Sequence, residues 1–255
     1  MTAAPDSALA TLWCPAPNRE PRRDGRAADM LVLHYTGMES AEAALDWLTR
    51  EESKVSCHYL VDEEGRIAQM VRESERAWHA GQSLWAGETD LNSCSIGIEI
   101  HNPGHEFGYL EFPDAQMQAV EALCLDILSR HLIRPERVVA HSDIAPGRKR
   151  DPGEKFDWAR LAHAGVGLWV APAPLGGDQG LGPGDEGPDV LKLQQDLAAF
   201  GYGVELTSTY GTGLEKVVEA FQRHFRQERI DGYADASTRD TLARLIAELQ
   251  TSHVA

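Results

Sequence analysis

Apolar and polar positions divide the chain into two patterned stretches, from about Ala28 to Ala164 and from about Gly187 to Leu249. In the first, Met30-Leu31-Val32-Leu33-His34-Tyr35 is a short apolar run of the kind that forms a buried strand. Cys57 to Val61 and Ile67 to Val71 flank the turn Asp62-Glu63-Glu64-Gly65 and predict a hairpin. Ile96, Ile98 and Ile100 alternate with Gly97 and Glu99 at strand period, and Arg137 to His141 predicts a further strand. Helices are predicted over Ala41 to Arg50 and Asp114 to His131. In the second of these Met117, Val120, Cys124, Ile127, Leu128 and His131 recur on one face. Strands and helices intermingle, which predicts a mixed α/β domain with a central mixed β-sheet flanked by helices.

The second stretch reads as three helices. Their apolar stripes are Val190, Leu193, Leu197 and Phe200, then Leu214, Val217, Val218, Phe221 and Phe225, then Leu242, Leu245, Ile246 and Leu249. Tyr210-Gly211 and Gly232-Tyr233 precede the second and third, a faint internal echo. Between the two stretches lies a Pro/Gly-rich segment containing Ala171-Pro172-Ala173-Pro174 and Gly176-Gly177. The expected organisation is an N-terminal arm (1–27), a mixed α/β domain (28–165), a linker (166–184) and a small three-helix domain (185–250).

Composition narrows the function classes. A net charge of −16 with no Lys/Arg stripe argues against nucleic acid and against anionic lipid. Cys14, Cys57, Cys94 and Cys124 form no C-x-x-C pair and no disulfide framework, and Cys124 reads as a small buried hydrophobe. No segment approaches the roughly 18 apolar residues of a membrane span. Met1 to Ala10 lacks a basic segment and an apolar run. Leu12-Trp13-Cys14 places a bulky Trp where a lipoprotein cleavage site needs a small residue. The expectation is a cytoplasmic protein, with a periplasmic one as the alternative. Oligomeric state is not encoded in any feature of the pattern.

Candidate chemistry gathers at strand ends. His34 closes one predicted strand and His141 another, where a sheet holds side chains rigidly. After His141 the chain runs Ser142-Asp143-Ile144-Ala145-Pro146-Gly147-Arg148-Lys149-Arg150-Asp151-Pro152-Gly153, and its two Pro/Gly breaks allow Asp151 to return toward His141. Two imidazoles and a carboxylate would leave one position of a tetrahedral zinc open for water. Histidines far apart in sequence are more often packed or surface residues, so spacing alone leaves both roles open. Glu99 sits opposite the isoleucines beside Gly97. It either faces a cleft left open by the glycine, as a general base, or lies exposed on an edge strand. Lys149 is either a loop charge or a cation that stabilises an oxyanion.

Val32-Leu33-His34-Tyr35-Thr36, Ser56-Cys57-His58-Tyr59-Leu60-Val61, Ala77-Trp78-His79-Ala80-Gly81, Asn92 through Ile100 and His141 through Gly153 follow one another in an order that resembles the zinc N-acetylmuramoyl-L-alanine amidases of the AmpD/AmiD type. These share a fold with the peptidoglycan recognition proteins. The resemblance implies that His34, His141 and Asp151 bind Zn2+ and that Glu99 and Lys149 serve catalysis. It gives His58 a supporting role without metal contact. Tyr35, Trp78 and His79 would line the groove for glycan or peptide, with core packing the alternative for Trp78. His101, His105, His131, His163, His224 and His253 match no motif of the family. In the C-terminal stretch, Gly187-Pro188-Asp189-Val190, Leu193-Gln194, Gly201-Tyr202, Gly211, Val217, Phe221-Gln222, Asp231-Gly232 and Thr238 resemble a peptidoglycan-binding module.

The implied reaction is hydrolysis of the amide between N-acetylmuramic acid and L-alanine in peptidoglycan or muropeptides. A non-catalytic muropeptide-recognition protein of the same fold is the rival reading, and a zinc peptidase acting within the stem peptide is a third. A wall-binding module suggests intact sacculi as substrate. The N-terminal residues suggest recycling of soluble anhydromuropeptides, and the expectation follows them.

Overall fold

The computed structural model describes residues 4–252. Its main sheet has six strands in the order β1-β5-β4-β7-β3-β8. These are β1 (Leu12–Trp13), β3 (Met30–Tyr35), β4 (Tyr59–Val61), β5 (Ile67–Gln69), β7 (Ser95–Ile100) and β8 (Val138–Ala140). β3 runs parallel to both β7 and β8, β7 parallel to β4, and β4 antiparallel to β5, so the sheet is mixed, as the patterning predicts. A separate antiparallel pair joins β2 (Arg19–Pro21) to β6 (Glu75–Ala77). The sheet domain also carries the short helices α1 (Ala41–Leu48) and α4 (Trp158–His163), and among the described residues no helix is long and apolar enough to cross a membrane.

Strands β3 and β7 are apolar because both their faces are covered. On one face, Leu31, Leu33, Ile96, Ile98 and Ile100 share a core with Met117, Val120, Leu123, Cys124 and Ile127 of α2 (Asp114–Arg130). On the other, Met30, Val32 and Val139 belong to a second cluster. That cluster continues through Trp85 and Ile144 into α5 (Pro188–Phe200), α6 (Thr212–Phe225) and α7 (Ala236–Ser252). The three C-terminal helices appear where the stripes predict them. They share one apolar cluster with the sheet domain instead of forming a detached core.

The echo within the C-terminal domain has a structural basis. Gln194 Oε1 accepts the backbone N–H groups of Thr207 and Ser208 while its Nε2 donates to the carbonyl of Thr209. Gln222 repeats the pattern: Oε1 accepts from Asp231 and Gly232, and Nε2 donates to Tyr233. Each glutamine follows a core residue and clamps the turn that leads into the next helix.

Two expected boundaries are corrected. Residues 1–27 are not an arm, leaving aside the first three, which lie outside the described residues. β1 adds to the sheet edge, Asn18 Nδ2 donates to the carbonyls of Arg50 and Val55, and the buried Arg22 guanidinium donates to the carbonyl of Glu73. Pro, Arg and Asp hide this packing from a hydrophobicity pattern because it is built from polar contacts. The segment 166–184 is not a free linker either. Val166 is buried in the sheet-domain core, Ala173 N–H bonds Thr241 Oγ1 of α7 at 3.0 Å, and Leu181 bridges to Ala234. Its prolines and glycines shape an extended strap.

One buried carboxylate ties α2 to the sheet. Glu73 accepts the Tyr59 hydroxyl at 2.6 Å, Arg130 Nη2 at 2.6 Å and His131 Nε2 at 2.8 Å, so His131 is a polar staple and not part of the apolar face. Burial pushes the Glu73 carboxyl up, but bonds from His131, Arg130 and Tyr59 outweigh it and hold it at about 2, below the ordinary 4.5. A carboxylate with a depressed folded-state pKa stabilises above its unfolded value, and that contribution disappears as pH falls through the folded one. Urea unfolding is therefore expected to show stability falling as pH drops from 4.5 toward 2. Glu73→Gln should flatten that slope and cost about 2 kcal/mol at neutral pH; an unchanged slope would remove Glu73 as its source.

Candidate active site

Sheet register builds the site. In β3 and β7, His34 pairs with Glu99 and Val32 with Gly97, while Leu33 pairs with Ala140 of β8. Paired residues of parallel strands point to the same face, so His34 and Glu99 emerge side by side. His141 follows one residue after Ala140, as the first residue of the short helix α3 (His141–Ile144). All three stand at the C-terminal ends of parallel strands, where open α/β sheets place ligand sites. β7 lies between β4 and β3, which excludes the edge-strand reading of Glu99. Gly97 does not leave open space either. A Cβ there would lie 2.6 Å from His79 Cγ and 2.8 Å from Cys57 Sγ, so the glycine makes room for the His79 ring.

The loop from Ser142 to Asp151 returns as its Pro/Gly breaks suggest, and Ser142 N–H bonds the Asp151 carbonyl at 3.0 Å. His34 Nδ1, His141 Nδ1 and Asp151 Oδ2 then lie 2.8, 2.9 and 3.1 Å from one another, all buried. Hydrogen bonds behind the rings assign their protons. His141 Nε2 faces the Ala80 carbonyl at 3.1 Å, so it carries the proton and Nδ1 is bare. A longer chain fixes His34. Ser95 Oγ–H donates to the Leu91 carbonyl at 2.6 Å and accepts His79 Nε2–H at 3.1 Å. His79 Nδ1 then accepts His34 Nε2–H at 3.0 Å, which leaves His34 Nδ1 bare.

Three lone-pair donors therefore converge with no proton between them. Such a cluster is electrostatically complete only around a cation, and two imidazoles with one carboxylate suit a tetrahedral divalent ion with an open position. Burial, with His141 adding to it, lowers the His34 pKa to about 4. For Asp151, burial acts upward, but His141 and His34 hold the carboxyl far below its usual range.

Glu99 is half-buried at the floor of a cavity of about 430 Å³. Its Oε2 is sealed from solvent with no hydrogen-bond partner among the described residues. Burial pushes this carboxyl well above the ordinary range, the charge of Asp151 adds to the rise, and Lys149 opposes it. Lys149 is half-buried at the same cavity, and its ammonium makes no ion pair among the described residues.

Tyr35, Trp78 and His79 all line this cavity. Tyr35 presents its ring there, with its hydroxyl 2.9 Å from His105 Nδ1. His79 is chiefly occupied in backing His34, and Asn92 Oδ1 holds its backbone N–H and that of Ala80. His58 stays out of the cluster. Its Nδ1 accepts Gly97 N–H at 3.0 Å, which makes Nε2 the donor to the Glu75 carbonyl, and burial lowers its pKa to about 3. Sequence reading missed His105, which bridges Tyr35 to Glu154, and the apolar wall of Met38, Trp47 and Val55. No spacing announces either, since His105, Met38 and Val55 lie on loops and Trp47 on the helix Ala41–Leu48, and only the fold brings them to the cavity. His253 lies outside the described residues.

Comparison with known proteins agrees with this geometry. Residues 24–154 match the family described as N-acetylmuramoyl-L-alanine amidase, and residues 186–242 match a peptidoglycan binding domain. The chain is 42% identical over 234 residues to the N-acetylmuramoyl-L-alanine amidase AmiD of Escherichia coli, covering 85% of this chain and 83% of that protein. The structure of AmiD in complex with anhydro-N-acetylmuramic acid-L-Ala-D-gamma-Glu-L-Lys superposes with a TM-score of 0.75 at 39% identity, covering 90% of each chain. AmpDh3 of Pseudomonas aeruginosa in complex with anhydromuramic pentapeptide gives 0.73 at 29% identity, covering 98% of this chain and 99% of that one. On sequence, fold and domain order together, this chain belongs to the N-acetylmuramoyl-L-alanine amidase family and carries a peptidoglycan-binding domain behind its catalytic one.

Proposed function

We propose that this amidase uses zinc held by His34, His141 and Asp151, and that it hydrolyses the bond between the lactyl carbonyl and L-alanine in soluble anhydromuropeptides. The observation that carries the reading is the convergence of three bare lone pairs within 3.1 Å beside an unpartnered carboxylate at a cavity floor. Zinc bound there would supply Lewis acidity and lower the pKa of a water to about 7. Glu99 accepts the proton of the attacking water at its carboxylate and delivers it to the departing L-alanine nitrogen. Its raised pKa suits both halves of that transfer. Lys149 presents its ammonium to the oxyanion that develops on the carbonyl. Tyr35, Trp78 and the apolar wall around Trp47 bind the sugar and peptide. A protein that only recognised muropeptide would need neither the acceptor cluster nor the unpartnered carboxylate. The soluble substrate is supported by the anhydromuropeptides bound in both related complexes.

The test sets purified protein against anhydromuropeptide and intact sacculi, with products followed by mass spectrometry. Free peptide with an L-alanine amino terminus is expected from the soluble fragment. A strong chelator should abolish its release, and stoichiometric zinc should restore it. Efficient cleavage of sacculi in preference to the fragment would overturn the substrate assignment, and chelator-resistant turnover the metal assignment.

Two substitutions separate the roles. Glu99→Gln should keep its zinc and lose at least about 10²-fold in kcat, the low end of general acid–base contributions. Lys149→Met should likewise retain zinc and lose about 10²-fold, as expected for a single oxyanion donor. Metal analysis beside steady-state kinetics checks both; zinc lost from either variant would place that residue in the metal cluster instead.

A further inference from the structure

The segment from His141 to Trp158 carries two of the proposed metal ligands and Lys149. Its outer side meets the C-terminal domain at several points. Gln227 Nε2 donates to the Phe156 carbonyl at 2.8 Å, and Arg223 approaches Glu154 at 3.6 Å. The His224 ring stacks on Trp158 at 3.7 Å. A Cβ at Gly147 would meet the Lys216 side chain at 3.1 Å.

Asp143 is the most constrained of these points. It is wholly buried and does not line the catalytic cavity. Its Oδ2 accepts the Ala140 N–H at 2.8 Å, at the residue before His141, and also His224 Nδ1–H at 2.6 Å. Its Oδ1 accepts the Tyr202 hydroxyl at 2.6 Å. Tyr202 and His224 both belong to the C-terminal domain and are themselves buried. A buried carboxylate is stable only when its oxygens are satisfied. Without these two donors Asp143 would have to turn toward other partners, releasing the backbone N–H that leads into His141.

We infer that the C-terminal domain is a structural part of the active site, with Tyr202 and His224 as positioning residues that lock Asp143 and, through the Ala140 backbone, the His141 ligand. Metal clusters tolerate about 0.5 Å of ligand displacement, and partners behind metal ligands commonly govern affinity by 10–100-fold. Support of the catalytic loop is thus a role separate from any contact of this domain with peptidoglycan, and it operates on soluble substrate as well. The inference rests on the zinc reading above.

Full-length variants test it by zinc competition with a chromophoric chelator and by kinetics on anhydromuropeptide. Tyr202→Phe and His224→Leu should each weaken zinc binding about tenfold and lower kcat with KM little changed. His224→Asn, whose amide N–H can take the Nδ1 position, should recover most of the affinity. Gln194→Ala removes a clamp whose partners, Thr207 to Thr209, all lie within the C-terminal domain, and it should destabilise that domain without altering zinc affinity. Tyr202→Phe keeps the ring and decides the matter if His224→Leu does not fold. A folded Tyr202→Phe with the parent's zinc affinity and kcat overturns the inference, as does an equal loss in Gln194→Ala. A parent chain that binds no zinc would overturn the metal assignment and this inference together, whereas a zinc-binding parent with indifferent variants overturns the inference alone.

Discussion

Two imidazole nitrogens and a carboxylate oxygen, each offering a lone pair, are held within 3.1 Å of one another, and much of the structure exists to keep them there. Left to themselves they would turn away or take up a proton. Turning is blocked by the register of β3 against β7 and β8, which sets the Cα positions, and by hydrogen bonds behind each ring. Protonation is opposed by burial, which lowers the basicity of His34. The relay through His79 and Ser95 ends on the Leu91 carbonyl, and that behind His141 on the Ala80 carbonyl. A backbone carbonyl cannot donate, so each relay has one direction and each ring one tautomer. The same enforcement explains Gly97, whose missing side chain admits the His79 ring.

Rigid strands alone would not hold His141 and Asp151, because both lie beyond the end of β8. The loop they share needs a second wall, and the C-terminal helices provide it. Trp85 of the sheet domain is buried against Gly201, whose φ of +137° and absent Cβ allow the indole to approach. Burying an indole removes about 150–250 Å² from water, about 4–6 kcal/mol at about 25 cal/mol per Å². That burial favours the docked arrangement, which the buried Asp143 contacts make specific. The strap from Val166 to Leu181 lies along the same assembly.

Strands β3, β4, β5, β7 and β8, the helices at Ala41–Leu48 and Asp114–Arg130 and the three C-terminal helices were legible in the apolar pattern of the chain. His34 and His141 were visible at predicted strand ends, Glu99 in mid-strand beside Gly97 and Asp151 after a Pro/Gly break, but spacing left their roles open, and the family resemblance implied those roles and that of Lys149. What stayed hidden was polar. β1 and β2 are short, Asn18 and Arg22 pack through hydrogen bonds, and Pro/Gly content cannot distinguish a strap from a loose linker. Asp143 and His224 are far apart in the chain, and neither belongs to an apolar repeat. Their partnership follows from docking, which periodicity does not record. Gly97 reads in the sequence as open space beside Glu99, whereas the His79 ring fills the place of its absent Cβ, because a missing side chain does not say what occupies the room it leaves.

Several buried polar atoms lack a partner among the described residues, Gln116 Oε1 and Ser142 Oγ included, but of these residues only Glu99 and Trp78 line the catalytic cavity, which gives the orphaned Oε2 of Glu99 a distinct meaning. An unpaired buried carboxylate oxygen costs about 1–3 kcal/mol or more, and the fold shows in His58, Glu73 and Asp143 that it readily supplies partners to buried polar groups. Supplying one to Glu99 would be simple in structural terms but would fix its proton. In the proposed role of general base, Glu99 would hand a proton from water to a leaving amine, and such a group works best with its bonding capacity unclaimed until substrate and water arrive. Trp78 Nε1, likewise without a partner among the described residues and on a residue lining the same cavity, fits the same logic as a donor left unclaimed. The energy forgone at these two atoms is compensated by the core and by the docked C-terminal domain, and it leaves the floor of the cavity chemically unfinished where the reaction occurs.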